Sequence, residues 1–521
     1  MTEMEKQEHK KDLNTPVHPT LAIYLSGNFS EQPSSSTNAN LSDATVRPIR
    51  WVYLENLYKN KSQIGSVAGG YLQLLVSGSH IAWGIWRFDF NEPWFRSING
   101  TFIFIIMSFY VAAIIGGIIS GFVVNIWRKQ TIYCLSGSTM VSSSLILVIW
   151  CSEEMGILFA RMLAGLAHGL VYNVLIIHAG ENARKQMRGI ITSTINCCLW
   201  ASIFIGSLLI AKVQMGITTS ISSDRMIGIS SFVWSVISLM YTIFWTEESM
   251  VYLLNRNKLG EALEVMSKLR NEPETSGSIA DDFEEMRLMV NRDKMEDKNI
   301  FKHNNDKPLI LMFALKFLYV LTNNVLFNWI FMLILTRILP EGSRRLSPVI
   351  LTAVRFIGSV LQTLLGDTFG RKTFLNASCT LSGITLLILE IMLIAITDHT
   401  IILHWVTTML CIVFQFFVAL GIDPMHNVML SEAFGTSKKT WSVVFVNGCE
   451  NAAQMIFIGV SFVDGIVVDT TYHLALFISV SIILILVVLL FFHLPETIGL
   501  SLSETRNLFR NVTAKCMTMT R

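Results

Sequence analysis

The sequence predicts an all-α, polytopic membrane protein with twelve transmembrane helices arranged as two six-helix bundles. Twelve apolar stretches occur between residues 66 and 493, and each has close to the ~20 residues that a helix needs to cross a bilayer. Composition agrees, since 52% of the residues are hydrophobic, 15% are charged and the mean hydropathy is +0.50. A soluble protein could not bury so much apolar surface. A polar interruption at 246–308 divides the stretches into two sets of six.

The predicted elements follow one another simply along the chain. Residues 1–65 are polar, with a Ser/Asn/Pro-rich run at 32–40, so we expect a largely disordered, cytoplasmic N-terminus. An N-terminal bundle is predicted over 66–245, a cytoplasmic linker with short helices over 246–308, a C-terminal bundle over 309–493 and a cytoplasmic tail over 494–521. The predicted spans are 66–86, 98–124, 130–150, 156–178, 190–210, 226–245, 309–335, 348–366, 373–396, 401–429, 441–462 and 472–493.

Basic residues in the short loops orient the chain. The loops placed inside carry Arg128, Lys129, Arg184, Lys185, Arg188, Arg371, Lys372, Lys438 and Lys439. The loops placed outside carry Arg87, Arg96, Lys212, Arg225, Arg337, Arg344 and Arg345. Four more basic residues precede the first span, namely Arg47, Arg50, Lys59 and Lys61. The positive-inside rule therefore predicts that both termini are cytoplasmic.

Two six-helix halves joined by a charged loop are typical of secondary transporters, whose substrate site lies near the bilayer midplane between the halves. A twelve-helix scaffold or receptor is the less common alternative. The net charge of +2 gives no indication of a nucleic-acid partner, and no nucleotide-binding loop or metal cluster is present in the sequence. We therefore expect a small-molecule solute and the lipid bilayer as partners, no cofactor, no enzymatic activity and a monomeric state.

Short motifs at the predicted inner ends of several spans resemble those of the sugar porters, the hexose- and trehalose-transporter branch of the major facilitator superfamily. They are ARMLAG at 160–165, ENARKQMRG at 181–189, ES at 248–249, GDTFGRK at 366–372, SEAF at 431–434 and PETIG at 495–499. Together they cover about residues 66–505 in the order that the family has. The resemblance implies the major facilitator fold and alternating access, and it identifies the chain as a divergent member.

The sequence departs from the family pattern at three places, and these departures bear on the gate and on the identity of the substrate. The turn at 125–129 lacks the glycine found in its counterpart after the eighth span. The seventh span lacks the paired glutamines that hold sugar hydroxyls, and has Asn323, Asn324 and Asn328 instead. The tenth span lacks the family's tryptophan and carries Asp423 and Pro424.

Charged residues of these motifs form a predicted cytoplasmic gate. They are Arg161, Glu181, Arg188, Glu248, Asp367, Arg371, Glu432 and Glu496. Opposite charges on the two halves can pair when the inner side is closed and separate when it opens, which gives the gate two states. Solvated loop charges are the alternative interpretation.

Amide side chains are the natural partners of a neutral polyol, because an amide both donates and accepts hydrogen bonds. Asn196 occupies the position of the family's fifth-span glutamine, counted from Arg188, and Asn323, Asn324 and Asn328 crowd the seventh span. Asn451 and Gln454 occupy the eleventh. Hydrogen bonds between helices are the competing use of these amides.

Charged residues also occur deep within the C-terminal spans. Counted from the span ends, Arg355, Asp423 and Glu450 lie near the midplane, and Lys316 lies at a shallower depth. A charge at the bilayer centre costs ~2.5–3.5 kcal/mol, so such residues pair, face a cavity or serve transport. We predict a pair between Arg355 and Glu450, and include Arg355, Asp423 and Glu450 with the amides as candidate substrate-binding residues.

The sequence as a whole predicts a transporter of a small polar solute, most simply a sugar, working by facilitated diffusion in the plasma membrane. The first span carries no acidic residue that could take a coupling proton. Two alternatives remain. The buried charges favour an organic-ion transporter of the same superfamily, and the altered seventh and tenth spans favour a nutrient sensor that does not transport.

Overall fold

The computed structural model describes residues 61–87, 100–214, 221–296, 299–301, 305–368, 370–395, 401–461 and 472–510. The expected disorder of the N-terminus falls almost wholly outside these residues, as does the end of the tail. Every element in the described part of the chain is helical.

The described residues of the first half form six long helices: α1 (Lys61–Trp86), α2 (Gly100–Val123), α3 (Lys129–Ile149), α4 (Glu154–Asn182), α5 (Arg188–Gln214) and α6 (Ser223–Trp245). Three shorter helices follow: α7 (Met250–Asn255), α8 (Leu259–Arg270) and α9 (Gly277–Lys294). These three enclose a small apolar core of their own, which includes Leu254, Met266 and Phe283. The segment between the halves is therefore folded along most of its described length.

The second half begins with α10 (Asp306–Asn323) and α11 (Val325–Thr336). A 3₁₀ turn (Glu341–Leu346) leads into α12 (Ser347–Leu365), and α13 (Arg371–Ala395) follows. The remaining helices are α14 (Ile401–Leu420), α15 (Ile422–Glu432), α16 (Thr436–Ser461), α17 (Tyr472–His493) and the tail helix α18 (Leu502–Arg510).

Eleven helical segments in the described part of the chain are long and apolar enough to cross a membrane. The remaining predicted span corresponds to α1, a 26-residue helix that begins at Lys61 and carries buried Gln63, Gln73 and His80. These polar residues lower its hydropathy. They are tolerated because α1 packs inside the first half against α5 and α6 rather than facing lipid.

Close backbone contacts set the spacing of α2 and α4. A Cβ atom added at Gly165 would lie 2.1 Å from the carbonyl oxygen of Phe109, and one added at Gly169 would lie 2.0 Å from that of Ala113. Only glycine permits this approach, which is how small residues bring membrane helices together.

Two predicted spans are broken rather than continuous. The seventh divides into α10 and α11 at Asn324, and the tenth divides into α14 and α15 at Gly421. The Asn324 side chain serves both half-helices: its carbonyl oxygen accepts from the Phe327 N–H at 2.9 Å, and its amide nitrogen donates to the carbonyl of Leu321 at 2.8 Å. At Gly421, an added Cβ would lie 2.3 Å from Cβ of Ser378 on α13, so the glycine at this break permits a tight helix contact.

Candidate functional site

A cavity lies between the two halves near the middle of the long helices. Its volume is about 50 Å³, which holds only a few water molecules at roughly 10–15 Å³ each. Aromatic side chains from both halves form much of the wall: Phe109, Tyr110, His168, Tyr172, Trp200 and Tyr319. Polar groups enter from the second half: Asn323, Glu450, Asn451 and Gln454. Sequence reasoning missed the three tyrosines.

Among the described side chains that line the cavity, Glu450 alone carries a charge, and it forms an ion pair with Lys316. The Lys316 Nζ lies 2.6 Å from Glu450 Oε2 and 3.4 Å from both the Tyr172 hydroxyl and Asn427 Oδ1. The predicted shallow position of Lys316 is wrong, because α10 begins at Asp306 and so places Lys316 ~15 Å along the helix. Counting from the charged start of the helix would have revealed the depth.

Arg355 pairs with Asp423 and not with Glu450, so the predicted partner is wrong. The Arg355 Nη1 lies 3.6 Å from Asp423 Oδ2, and its Nη2 donates to the Thr322 carbonyl at 2.7 Å. Its Nε donates to Gln415, and its guanidinium lies 4.7 Å from the ring centroid of Trp200. A count of residues along a helix does not give the direction in which a side chain leaves that helix. All four deep charges are therefore internally paired.

The predicted amides divide into two groups. Asn323 and Asn451 line the cavity, and the Asn323 amide also donates to Asp423 Oδ1 at 2.5 Å. Asn324 is engaged in the helix break, and the Asn328 amide donates to the Asn324 carbonyl at 2.9 Å. These last two are structural in this conformation, because their hydrogen bonds complete the broken span.

Asn196 is fully buried on α5 and lies outside the cavity lining. Neither its amide nitrogen nor its oxygen has a hydrogen-bond partner among the described residues. Buried amides are normally paired. Its assignment as a substrate ligand stays a prediction.

Four of the predicted gate residues form a buried cluster at the end of the helices where α5 begins. Glu432 Oε1 accepts from Arg371 of its own half and lies 3.3 Å from Nη1 of Arg188, which belongs to the first half. Asp367 Oδ1 lies 3.1 Å from Arg371 Nη2, and its Oδ2 accepts from the Ile190 N–H at 2.9 Å. Burial raises the pKa of the Asp367 carboxyl, and Arg371 offsets part of that increase. Arg188 and Asp367 thus connect the two halves.

The other acidic residues hold helices within each half. Glu496 accepts from the N–H groups of Arg371 and Lys372, at 2.9 and 3.0 Å, and so caps α13. Glu248 does the same for α3 by accepting from the Lys129 N–H at 2.9 Å. Glu181 accepts from the Ser249 hydroxyl. Carboxylates at helix N-termini satisfy free N–H groups and favour the helix dipole.

The gate is asymmetric between the halves. The counterpart of Asp367 in the first half is Asn125, whose amide is 3.4 Å from the Thr440 hydroxyl on α16. A neutral bond of this length is weaker than the charged contact of Asp367 with α5. The missing glycine and acid in the turn at 125–129 therefore have a structural consequence.

Arg161 was predicted in the cytoplasmic gate, and the structure contradicts this. Arg161 lies near the N-terminal end of α4, whereas Glu181 lies twenty residues on, ~30 Å away at the other end. Its guanidinium donates to the carbonyls of His80 and Ile105 at 2.7 and 2.9 Å and lies 4.5 Å from the Trp83 ring centroid. The fourth span starts on the side opposite the gate, so a motif at its start cannot belong to the gate.

Contacts also close the opposite side of the cavity. The Trp329 indole N–H on α11 donates to the Ile85 carbonyl on α1 at 2.8 Å. The hydroxyls of Ser207 on α5 and Thr352 on α12 are 2.8 Å apart. The halves therefore touch on both sides of the cavity, and this conformation is occluded.

Comparison with known protein families agrees with this architecture. The profile of the family described as "Sugar (and other) transporter" matches residues 52–509, which is most of the chain. The chain belongs to the sugar transporter family. It is thus a multi-pass integral membrane protein of a transporter family, with the major facilitator fold.

The individual relatives of this protein share only a low sequence identity with it. Monosaccharide-sensing protein 3 of Arabidopsis thaliana is 27% identical over 143 residues, which cover 27% of this chain and 19% of that protein. The facilitated trehalose transporter Tret1 of Anopheles gambiae is 23% identical over 479 residues, covering 88% of this chain and 56% of that protein. The chain therefore spans between about a fifth and about half of the length of these two relatives.

Solved structures show the same fold. The structure of the proton:xylose symporter XylE bound to 6-bromo-6-deoxy-D-glucose aligns with a TM-score of 0.67 at 14% identity, covering 88% of this chain and 99% of that one. The inward-open conformation of XylE from E. coli aligns with a TM-score of 0.57 at 14% identity, covering 88% of this chain and 99% of that one. Identity at this level establishes the fold and not the substrate.

Proposed function

We propose that this protein moves a neutral polar solute of the sugar class across the membrane by alternating access. One observation carries the proposal: the four charges at mid-depth are paired with one another, Lys316 with Glu450 and Arg355 with Asp423. A charged substrate would need an uncompensated partner, since a buried ion pair is costly to break. A neutral solute needs none.

The cavity wall has the chemistry that a sugar requires. Apolar ring faces of a sugar can pack on Trp200 and the tyrosines, while its hydroxyls can exchange hydrogen bonds with Asn323, Asn451 and Gln454. Few polar groups set in a mostly aromatic wall are typical of small-molecule sites. The occluded cavity must widen to admit a sugar, which the alternating-access cycle provides.

Facilitated diffusion is the mode of transport that the sequence favours. Residues 66–86 on α1 contain no acid, and the acid that borders the cavity is already bound by Lys316. Proton coupling would require Glu450 to leave Lys316 during the cycle. The simplest mechanism therefore has the solute gradient as its driving force.

Uptake into proteoliposomes tests this function. Purified protein should take up labelled glucose or trehalose, and the unlabelled sugars should compete while carnitine and a cationic dye should not. Competition by the ions alone would assign the protein to the organic-ion transporters. Saturable sugar binding without uptake would assign it to the sensors.

The sensor function is the second candidate. It is favoured by the similarity of 143 residues to a protein named as monosaccharide-sensing, and by the loss of the family's paired glutamines from the seventh span. The same cavity would then bind the sugar without completing the cycle. Binding and transport measured on one preparation distinguish the two functions.

We place the protein as a monomer in the plasma membrane with both termini in the cytoplasm. The basic residues of the inner loops support the orientation. Epitope tags at positions 10 and 515 should be detected by antibody only after cells are permeabilised. Labelling of either tag on intact cells would reverse the orientation.

A further inference from the structure

An apolar slot opens on the surface of the second half, near the ends of the helices that carry the gate. It has a volume of about 290 Å³ and lies between α10, α17 and the tail helix α18. Leu311 and Ala314 of α10 form one wall, Leu490 of α17 forms another, and the fully buried Phe509 of α18 closes the end. The slot is distinct from the central cavity, with which it shares no residue.

Polarity changes along the slot. Lys307 and His493 are exposed at its mouth, and Ala314 lies seven residues deeper, ~10 Å along α10. The His493 Nδ1 bonds to the Leu489 carbonyl at 2.9 Å, which leaves Nε2 directed away from its own helix. Asp306 is also exposed next to Lys307, but it does not line the slot. The order of groups, basic at the membrane surface and apolar toward the membrane interior, matches that of an anionic lipid.

We propose that this slot is a binding site for an anionic glycerophospholipid. Its phosphate would lie at Lys307 and His493, and one acyl chain would lie along Leu311 and Ala314 beside Leu489. An occupant at this depth must be apolar and without unsatisfied backbone groups, which excludes an extended peptide. Basic side chains at a membrane surface attract anionic headgroups.

The tail helix α18, which borders the slot, is anchored to the linker by ion pairs. Arg506 of α18 pairs with Asp293 at the end of α9, and Arg510 lies 2.8 Å from Glu296. Asp293 also accepts from the Thr436 N–H at the start of α16 at 2.8 Å. The slot therefore lies beside a tail helix that is held by charge to the linker and, through Asp293, to α16.

Thermal unfolding of the full-length protein in detergent tests the proposal. Phosphatidylglycerol should raise the unfolding temperature more than phosphatidylcholine with the same acyl chains, because ligands that bind only the folded state stabilise it. Inorganic phosphate should have no effect, since it lacks the chain that fills the slot. The affinity for phosphatidylglycerol should fall by about fivefold for Lys307→Ala, the contribution of one lysine at an anionic surface. It should also fall for His493→Ala, which removes the imidazole that borders the proposed phosphate position.

Two further variants sharpen the test. Ala314→Trp should fill the slot and abolish the difference between the lipids, whereas Lys212→Ala, an exposed lysine at the opposite membrane face, should not. If Ala314→Trp does not fold, the two exposed mouth residues still decide the matter. Equal stabilisation by both lipids, equal stabilisation by phosphate, or unchanged affinity in the mouth variants would overturn the proposal. Dimerisation that Ala314→Trp abolishes would assign the slot to a second copy of the chain instead.

Discussion

The four deep charges show how a residue's type and depth can be read from sequence while its partner cannot. Arg355, Asp423 and Glu450 lie buried or nearly buried on helices of the second half, but the partner of Glu450 is Lys316 on α10 and not Arg355. The partner depends on the face of the helix from which each side chain leaves, which a count of residues along one span does not encode.

Breaking one ion pair should destabilise the protein, and removing both of its members should restore it. Glu450→Gln leaves Lys316 buried without its acid, at an expected cost of about 3–5 kcal/mol of folding free energy. Lys316→Gln in the same chain should recover most of the lost abundance. Surface level and initial uptake rate of the two single variants and the double variant form a cycle whose coupling energy isolates the pair.

Arg355→Gln provides the matched control for that cycle. Its acid is Asp423, so Arg355→Gln combined with Glu450→Gln should be no better than the worse single variant. Rescue by Arg355→Gln and not by Lys316→Gln would restore the pairing predicted from sequence and refute the one described here.

Asn324 and Asn451 should respond differently to removal of their amides. Asn324→Ala deletes the cap of α11 and leaves buried carbonyls of α10 unpaired, with an expected loss of about 1–3 kcal/mol in stability. Asn451 lines the cavity, and among the described residues its amide donates to its own helix alone, at the Asn447 carbonyl. Asn451→Ala should keep its surface level and lose uptake, measured as rate per molecule at the surface. Loss of uptake at normal surface level in Asn324→Ala, with loss of surface level in Asn451→Ala, would make Asn324 the substrate ligand and Asn451 the structural residue.

At the scale of elements, the sequence predicted where helices lie better than where they break. Apolar length is a property of a segment and can be summed, so the spans of both halves were found. The breaks at Asn324 and Gly421 depend on single residues within continuous apolar runs, and such runs give no periodic signal. Asn324 was instead interpreted as a substrate ligand, because an amide that caps two half-helices resembles an amide available to a sugar.

The tail helix should be held less tightly at acidic pH. The hydrogen bond from Arg510 lowers the pKa of Glu296, so this contact contributes fully above the carboxyl's ordinary value of about 4.3 and is lost as pH falls through the lowered value. Amide hydrogen exchange over residues 502–510, corrected for the intrinsic effect of pH, should accelerate between pH 6 and pH 3. Glu296→Gln should exchange fast at both. A wild-type tail that exchanges equally at both values would show that Glu296 does not hold it.

For the whole molecule, the sequence motifs predicted two halves meeting at a charged inner gate, and the described residues place Arg188 and Asp367 across that boundary. The motifs could not distinguish residues that join the halves from those that cap helices within a half. Glu248, Glu496 and Glu181 are of the second kind. Arg161 was misplaced because its motif was assigned without regard to the direction of the fourth span.

Gly189→Ala should weaken the closed inner gate without unfolding either half. An added Cβ would lie 2.0 Å from Asp367 Oδ1, so Asp367 could no longer reach the Ile190 N–H. Cytoplasmic access to the cavity, measured by labelling of an introduced cysteine at Gln454, should increase and uptake should fall. Gly448→Ala is the control, since no atom lies within 4 Å of its added Cβ. Unchanged access in Gly189→Ala would remove Asp367 from the gate.

Counterflow in proteoliposomes under an imposed membrane potential tests most directly whether the protein carries a neutral solute by alternating access. Liposomes preloaded with unlabelled sugar should accumulate labelled sugar transiently above its equilibrium level, because one carrier exchanges solute at both faces. The rate and extent should be the same at positive, zero and negative potential, since a solute without charge moves no current when the cavity charges stay paired. Absence of counterflow, or accumulation that follows the sign of the potential, would contradict neutral-solute transport by this protein.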